Sequence, residues 1–329
     1  MFLYAFIYIY RFPRIGMRKI SELRLALVGC GALGSAVLQL IGRLGFGEVH
    51  IIDGDIVTES NLRTQMLFEI GDTKIINYKA DLAKNKLEDI NSETRFQSSP
   101  FYLTEKNAEE TLKGSDIVID ATDNTKTRLT VNKVCVLKGI PLIEVMAKKK
   151  EAMVHMVSGE NACFNCLYSA SKMIDDECAS IDPSLPPISA GVTLNMLLSF
   201  LNGDIAPKTV LISADGLNVS RLKIKRLETC EVCSKRRDIK VKEDGFIQVC
   251  GGGIKFSFSR RVMLHDVYSK LAGYGELEGD NNYIILRNPG RSVLISDYGD
   301  LLFTGYGLEE AKKFIESIKP IILVSQPSP

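Results

Sequence analysis

Residues 25–35 have the sequence Leu-Ala-Leu-Val-Gly-Cys-Gly-Ala-Leu-Gly-Ser. The apolar run predicts a buried β-strand that leads into a glycine-rich turn and then a helix with Ser35 near its first turn. Gly29, Gly31 and Gly34 have the G-x-G-x-x-G spacing of a nucleotide-binding turn. In such a turn the first glycine permits a tight bend, the second lets a phosphate approach the backbone, and the third lets the helix pack closely. The N–H groups at the start of the helix then attract an anion.

Two further apolar strands end in carboxylates. Residues 49–52 lead into Asp53 about 20 residues after the glycine turn, where a carboxylate can accept hydrogen bonds from a ribose. Residues 117–119 lead towards Asp123. Because ligands bind at the carboxyl ends of strands in open α/β sheets, we expect Asp123 to lie close to the glycine turn and Asp53. The pattern predicts an α/β fold with a Rossmann-like, doubly wound, mostly parallel sheet.

The composition of the 329-residue chain is ordinary for a globular protein, with 45% hydrophobic and 25% charged residues. The formal net charge is +1, so we expect neither nucleic acid nor a membrane as a partner. The apolar residues 1–10 precede the positive charges, whereas a signal peptide has charge first, and a membrane span needs about 20 residues. We therefore predict an additional strand or tail, or a translation start at Met17, and a cytoplasmic location.

The sequence predicts three segments: an N-terminal extension at 1–21, a nucleotide-binding domain at 22–237 and a small α+β domain at 245–320. In the larger domain we predict helices at 74–90, 107–112, 125–138 and 188–201, strands at 94–97, 140–145 and 152–157, and a loop at 159–187. A β-hairpin is predicted from strands 210–213 and 222–225. In the small domain we predict strands at 246–249, 254–257, 283–287, 292–296 and 300–304, with helices at 263–272 and 308–318.

A long polar connection follows Asp53. It carries Asp55, Asn61, Arg63, Gln65 and Lys74. An NAD-dependent oxidoreductase explains the glycine turn and Asp53 but not this connection. Cations and amides beside a phosphate turn, with carboxylates for a metal ion, suit a nucleoside triphosphate with Mg²⁺. From the residues alone both readings stay open, and Arg63 and Lys74 can equally be solvated surface side chains.

The eight cysteines include two C-x-x-C pairs, Cys163 with Cys166 and Cys230 with Cys233. Four thiolates in two close pairs are typical of a closed, structural Zn²⁺ site, although redox pairs are an alternative. Cys178 belongs to neither pair and lies near a proline-bearing stretch. It is either a nucleophile or a structural thiol.

These motifs, taken in order, resemble the ThiF/MoeB/HesA branch of the ubiquitin-activating-enzyme superfamily over residues 23–233. The matching pieces are the glycine turn, Asp53-Gly54-Asp55, Asn61-Leu62 with Gln65, Asp72-Thr73-Lys74, Ala121-Thr122-Asp123-Asn124 and the two cysteine pairs. The resemblance implies adenylation of the C-terminal carboxylate of a small ubiquitin-fold protein that ends in Gly-Gly, with ATP and Mg²⁺. It also implies a homodimer.

The resemblance implies roles for individual residues. Asp53 would hold the ribose, Asp123 the Mg²⁺, and Asn61 and Lys74 the phosphates, while Arg63 would assist catalysis and Cys178 would take over the activated acyl group. The remaining nucleotide-site residues would be Gly29, Gly31, Gly34, Asp55 and Gln65, and the Zn²⁺ ligands would be Cys163, Cys166, Cys230 and Cys233.

Two departures from the family pattern stand out. Thr64 occupies the position directly before Gln65 where the family usually has arginine. The family also supplies an N-terminal arginine across the dimer interface, a role that Arg11 or Arg14 would fill here. A relative that binds a carrier protein without activating it is therefore the third alternative, beside the adenylyltransferase and the oxidoreductase.

Overall fold

The computed structural model of the protein describes residues 19–159, 161–170, 180–203, 209–236, 246–249, 253–258, 261–279 and 282–324. The chain forms two compact units. One is built around an eight-stranded sheet and the other around a six-stranded sheet. Among the described residues, the helices lack the combination of length and apolar character needed to cross a bilayer.

The first unit alternates strands and helices before it ends in antiparallel strands. Its elements are β1 (Arg24–Val28), α1 (Ala32–Ile41), β2 (Glu48–Ile52), α2 (Lys79–Ile90), β3 (Arg95–Ser99), α3 (Ala108–Leu112), β4 (Ile117–Asp120), α4 (Thr125–Lys138), β5 (Leu142–Lys148), β6 (Glu151–Val157), α5 (Phe164–Ala170), α6 (Leu185–Leu201), β7 (Thr209–Ser213) and β8 (Asn218–Leu222). Two short 3₁₀ helices, Glu59–Arg63 and Ile70–Thr73, lie between β2 and α2.

The strand order of this sheet is β3-β2-β1-β4-β5-β6-β7-β8. The strands from β3 to β5 pair in parallel, and those from β5 to β8 pair antiparallel. The order reverses between β1 and β4, which makes the carboxyl ends of these strands the position where a ligand binds in a doubly wound fold. The predicted Rossmann-like, mostly parallel sheet is confirmed.

Hydrophobic cores cover both faces of this sheet. Leu25 and Leu27 of β1 belong to one core cluster, whereas Ala26 and Val28 belong to another. Side chains alternate between the two faces of a strand, so a strand that is buried on both faces is apolar throughout. This requirement explains the uninterrupted apolar run before the glycine turn.

The second unit is an antiparallel sheet with two helices. Its elements are β9 (Phe246–Val249), β10 (Gly253–Ser257), α7 (Leu264–Leu271), β11 (Glu276–Gly279), β12 (Tyr283–Asn288), β13 (Arg291–Ser296), β14 (Asp300–Thr304) and α8 (Leu308–Val324). The strand order is β11-β12-β13-β14-β10-β9. Val267 of α7 and Ile315 of α8 share one core cluster with Phe303 of β14, so both helices contribute to a single α+β core.

Several predicted boundaries are wrong. The helix predicted over 74–90 begins at Lys79, because Tyr78 is extended and forms an isolated β-bridge with Ile56. The return strand of the hairpin is Asn218–Leu222 and not 222–225. Gly216 and Leu217 both have positive φ, at 68° and 47°, and turn the chain immediately.

Other elements were missing from the prediction or displaced in it. The segment predicted as a loop over 159–187 contains α5 and the start of α6, with Pro186 in a first turn where proline is tolerated. The strand predicted over 140–145 is Leu142–Lys148. The strand Glu276–Gly279 had no counterpart in the prediction, because its sequence Glu-Leu-Glu-Gly has little β propensity.

Candidate functional site

The three glycines of the turn after β1 have different surroundings. Gly29 has φ +89°, and a Cβ there would lie 2.8 Å from the backbone nitrogen of Thr122. A Cβ on Gly34 would overlap the carbonyl oxygen of Gly29. A Cβ on Gly31 would meet nothing within 4 Å. The fold therefore requires glycine at the first and third positions, and the second faces open space at the start of α1, where a phosphate can approach the backbone.

Asp53 is fixed directly beside the glycine turn. Its Oδ2 accepts a hydrogen bond from the backbone N–H of Cys30 at 2.6 Å, and its Oδ1 accepts one from the backbone N–H of Asp55 at 2.7 Å. A carboxylate is an acceptor-only group of the kind that a ribose hydroxyl can donate to. Burial, followed by the negative charge of Asp53, raises the pKa of the Cys30 thiol well above its ordinary value. Cys30 therefore stays a neutral thiol.

Asp55 takes part in a cluster that the sequence did not reveal. Its Oδ2 lies 3.0 Å from the Nζ of Lys79, and its Oδ1 accepts a hydrogen bond from the hydroxyl of Tyr102 at 3.1 Å. The Lys79 side chain is only 6% exposed, so its charge is compensated inside the protein. The cluster joins the connection after β2 to the start of α2. The carboxylate of Asp55 is thus engaged by the protein itself.

The remaining predicted residues of the connection have distinct environments. The Asn61 side-chain oxygen accepts a hydrogen bond from the backbone N–H of Thr58 at 3.0 Å, which caps a 3₁₀ helix. Gln65 is buried, and its Oε1 has no hydrogen-bond partner among the described residues. Arg63 and Lys74 are exposed. Within the described ranges these four side chains form no hydrogen bond or ion pair with Asp53 or the glycine turn.

Asp123 lies in the turn between β4 and α4. It is exposed, and the next residue, Asn124, caps α4 by accepting a hydrogen bond from the backbone N–H of Thr127 at 2.8 Å. The preceding residues Ala121 and Thr122 lie against Gly29. The structure therefore places Asp123 in a turn that contacts the glycine turn, as the strand ends of the sequence predicted.

A buried charge cluster lies at the end of β4 and within β5. Asp120 and Glu144 have no exposed side-chain surface, and they are register partners in the sheet. Nη1 of Arg128 lies 2.9 Å from Oε2 of Glu144 and 3.9 Å from Oδ1 of Asp120. Burial, followed by repulsion from Asp120, raises the pKa of Glu144 well above its ordinary value. The sequence signal for this cluster was the lone glutamate in the apolar run 142–146.

The four cysteines of the two C-x-x-C pairs come together. Their Sγ atoms all lie within 4.8 Å of one another, although they come from the start of α5 and from the segment after β8. Cys163 and Cys230 are 3.7 Å apart at Sγ, and Cys166 and Cys233 are 3.4 Å apart. A tetrahedral Zn²⁺ site with Zn–S bonds of about 2.3 Å has sulfur–sulfur distances of about 3.8 Å. The thiols are free and buried, so the donor set and spacing fit zinc.

Three residues with predicted roles lie outside the described residues. They are Cys178, the predicted acyl acceptor, and Arg11 and Arg14, the candidates for an arginine supplied across a dimer interface. Their roles stay predictions.

A glycine turn at the switch point of a doubly wound sheet, with a carboxylate fixed beside it and a four-cysteine cluster, defines a Rossmann-type α/β protein. The chain belongs to the ThiF family, whose sequence profile matches residues 6–235. The resemblance found in the sequence is thereby confirmed.

Individual relatives agree with this assignment. The chain is 35% identical over 156 residues to the sulfur carrier protein ThiS adenylyltransferase of Bacillus subtilis, covering 47% of this chain and 46% of that protein. It is 30% identical over 231 residues to the sulfur carrier protein adenylyltransferase of Thermus thermophilus, covering 66% of this chain and 84% of that protein. Several other curated relatives, like the first, are matched over only about half of their length.

Among solved structures, a crystal structure of Escherichia coli MccB superposes with a TM-score of 0.57 at 21% identity, covering 68% of this chain and 69% of that chain. This likeness shows the fold alone.

Proposed function

We propose that the protein is an ATP-dependent adenylyltransferase that activates the C-terminal carboxylate of a small ubiquitin-like or sulfur-carrier protein ending in Gly-Gly. The observation that carries the proposal is the open approach to Gly31 beside the Asp53 carboxylate, which two backbone N–H groups hold in place. Both named relatives of the ThiF family are called adenylyltransferases, which favours this activity over that of an oxidoreductase.

In this proposal different residues bind the ribose, the phosphates and the metal of Mg·ATP. Asp53 accepts hydrogen bonds from the ribose hydroxyls, and the phosphates lie over Gly31 at the start of α1. Asn61 and Lys74 contact the phosphates. Asp123, whose exposed carboxylate has no partner among the described residues, holds the Mg²⁺. Bound Mg²⁺ neutralises charge on the phosphates.

The reaction is a nucleotidyl transfer followed by an acyl transfer. A carboxylate oxygen of the carrier protein attacks the α-phosphorus of ATP, the bond from that phosphorus to the oxygen of the β-phosphate breaks, pyrophosphate leaves, and an acyl-adenylate forms. Arg63 compensates the charge that develops on the phosphates, from one position earlier than the usual family arginine. The Cys178 thiolate then attacks the acyl carbonyl, a thioester forms, and AMP leaves.

The proposal also covers the role of the zinc site, the oligomeric state and the cellular location. Zn²⁺ held by the four cysteines is structural, because four protein ligands leave no open position for a substrate. The active form is a homodimer in which Arg11 or Arg14 reaches the partner's nucleotide site, and it functions in the cytoplasm.

ATP–pyrophosphate exchange tests the adenylation step. We expect exchange only when a carrier protein with an intact Gly-Gly end is present, and none when the carrier lacks its last glycine. Asp123→Asn should abolish most of the exchange. The matched control is Lys113→Gln, a change at an exposed residue that precedes the amino end of β4, whereas Asp123 follows its carboxyl end. Absence of exchange with every Gly-Gly carrier of the same genome would refute the proposal.

Two other outcomes would favour the alternatives. Tight NAD binding without ATP binding in a thermal-shift assay would favour the oxidoreductase. Carrier binding without formation of an adenylate would favour the non-catalytic relative, to which Thr64 lends support.

The acyl-transfer step needs a separate experiment. The protein is mixed with Mg·ATP and the carrier, and mass spectrometry detects the covalent adduct and its release by a thiol. Cys178→Ala should abolish the adduct and preserve pyrophosphate exchange, whereas the control Cys250→Ala should preserve both. An adduct that persists in Cys178→Ala would exclude Cys178 as the acceptor.

A further inference from the structure

Arg128 of α4 binds several acceptors at once, although it is only 5% exposed. Its Nη2 donates to the carbonyl oxygens of Thr122 and, at 2.8 Å, Val145. Its Nη1 donates to Oε2 of Glu144 at 2.9 Å and to the carbonyl oxygen of Asp120 at 3.4 Å. Three of these four acceptors are backbone carbonyls, so the guanidinium holds the path of the main chain.

Two of those carbonyls belong to the turn that leads to Asp123. Asp120 ends β4, and Thr122 directly precedes Asp123. The turn is also closed from within, because Oδ1 of Asp120 accepts hydrogen bonds from the backbone N–H and the hydroxyl of Thr122 at 2.9 and 2.6 Å. The position of this turn is thus set by a side chain that is itself remote from solvent.

The same turn lies against the glycine turn. Gly29 leaves so little space that a Cβ on it would lie 2.9 Å from the carbonyl carbon of Ala121. A shift of the turn after β4 would therefore change the direction of the Asp123 carboxylate relative to the glycine turn. Glu144 keeps the guanidinium in the orientation that presents Nη2 to the carbonyls of Thr122 and Val145.

We propose that Arg128 is a positioning residue for the metal–nucleotide site, which fixes the Asp123 carboxylate relative to the glycine turn by binding the backbone carbonyls of Asp120, Thr122 and Val145. This inference rests on the proposed function, in which Asp123 holds the metal of Mg·ATP. Lysine cannot replace arginine here, because one ammonium group lacks the planar fork of donors that reaches carbonyls on two strands.

The test compares two nucleotides in the full-length, zinc-loaded protein. Calorimetric titration measures the affinity for Mg·ATP and, in buffer without Mg²⁺, the affinity for AMP, which needs the ribose site but no metal. In Arg128→Lys we expect Mg·ATP to bind roughly 10- to 100-fold more weakly, because the displaced Asp123 carboxylate no longer contacts the metal in the right geometry. The affinity for AMP should be unchanged. The control Thr130→Val removes a hydroxyl that donates to the Lys126 carbonyl of its own helix, and it should alter neither affinity.

The outcomes separate the inference from the proposed function. If wild-type protein binds no Mg·ATP, the proposed function fails. If Asp123→Asn weakens Mg·ATP binding but Arg128→Lys does not, or if Arg128→Lys weakens both nucleotides equally, the positioning role is refuted. If Arg128→Lys does not fold, Thr122→Val provides the second test, because it loosens the same turn by removing one hydrogen bond. It should weaken Mg·ATP binding and spare AMP, and unchanged Mg·ATP binding would overturn the inference.

Discussion

His50 gives the protein a pH dependence of stability that can be calculated from its surroundings. It lies in β2 and is 7% exposed, and its Nε2 is 2.8 Å from the hydroxyl of Ser99. Its Nδ1 has no hydrogen-bond partner within the described part of the chain. Burial, followed by repulsion from Arg24, lowers the pKa of His50 from 6.5 to about 4. The folded state therefore keeps the imidazole neutral.

The sign of the effect follows from the two pKa values. Between pH 6.5 and about 4 the unfolded chain binds a proton at His50 and the folded chain does not. The stabilising contribution is thus fully present above pH 6.5 and is lost as the pH falls. From these pKa values the free energy of unfolding falls by about 2 kcal/mol between pH 7 and pH 5, and the decrease reaches about 3 kcal/mol below pH 4.

Urea unfolding of wild-type protein and His50→Gln at pH 7 and pH 5 measures this contribution. Glutamine can still form a hydrogen bond with Ser99 but does not titrate. Between pH 7 and pH 5 the free energy of unfolding of the variant should therefore fall by about 2 kcal/mol less than that of wild type. All other titrating groups, including the four-cysteine cluster, contribute equally to both proteins and cancel in the comparison. An identical loss in the two proteins would refute the assignment of a neutral, buried imidazole.

Three further predictions concern the site. Glu144→Leu should lower the free energy of unfolding by about 3–5 kcal/mol, because it removes the carboxylate that lies 2.9 Å from the buried Arg128 guanidinium, as urea unfolding will show. Cys166→Ser should lower both the bound zinc in metal analysis and the melting temperature. Gly34→Ala should lower the melting temperature sharply, whereas Gly31→Ala should leave it unchanged and weaken ATP binding in calorimetry.

Much of the fold was predictable because its signals are local. The apolar run before Gly29 and the glycine spacing depend only on near neighbours, and they predicted β1, the turn and α1 correctly. The hairpin boundary was wrong because it depends on Leu217, a residue type that seldom adopts a positive φ. The start of α2 was wrong because the bridge between Tyr78 and Ile56 extends residues that would otherwise fit the helical pattern.

The candidate site was predictable where the residue types and spacing of a motif by themselves indicate what it binds. The paired spacing of the cysteines predicted a cluster, and the structure brings the four thiols together. The partners of Asp55 and the contacts of Arg128 could not be predicted, because they join residues that are distant in sequence and follow no fixed spacing. The charged residue within the apolar run of β5 was the local sign that such a partner exists, since an isolated charge is rarely buried.

The structure separates three carboxylates that the sequence assigned together to the nucleotide site. Asp53 accepts hydrogen bonds from the backbone N–H groups of Cys30 and Asp55, which fix its carboxylate beside the glycine turn. Asp55 is compensated by the buried Lys79, so its charge is already used within the fold. Asp123 is exposed and has no partner among the described residues. In the proposed function Mg²⁺ binds to Asp123, whose carboxylate is exposed, whereas that of Asp55 already forms an ion pair with Lys79. In that proposal the backbone position of Asp123, which follows from the bonds of Arg128 to the carbonyls of Asp120 and Thr122, determines where the metal of Mg·ATP binds.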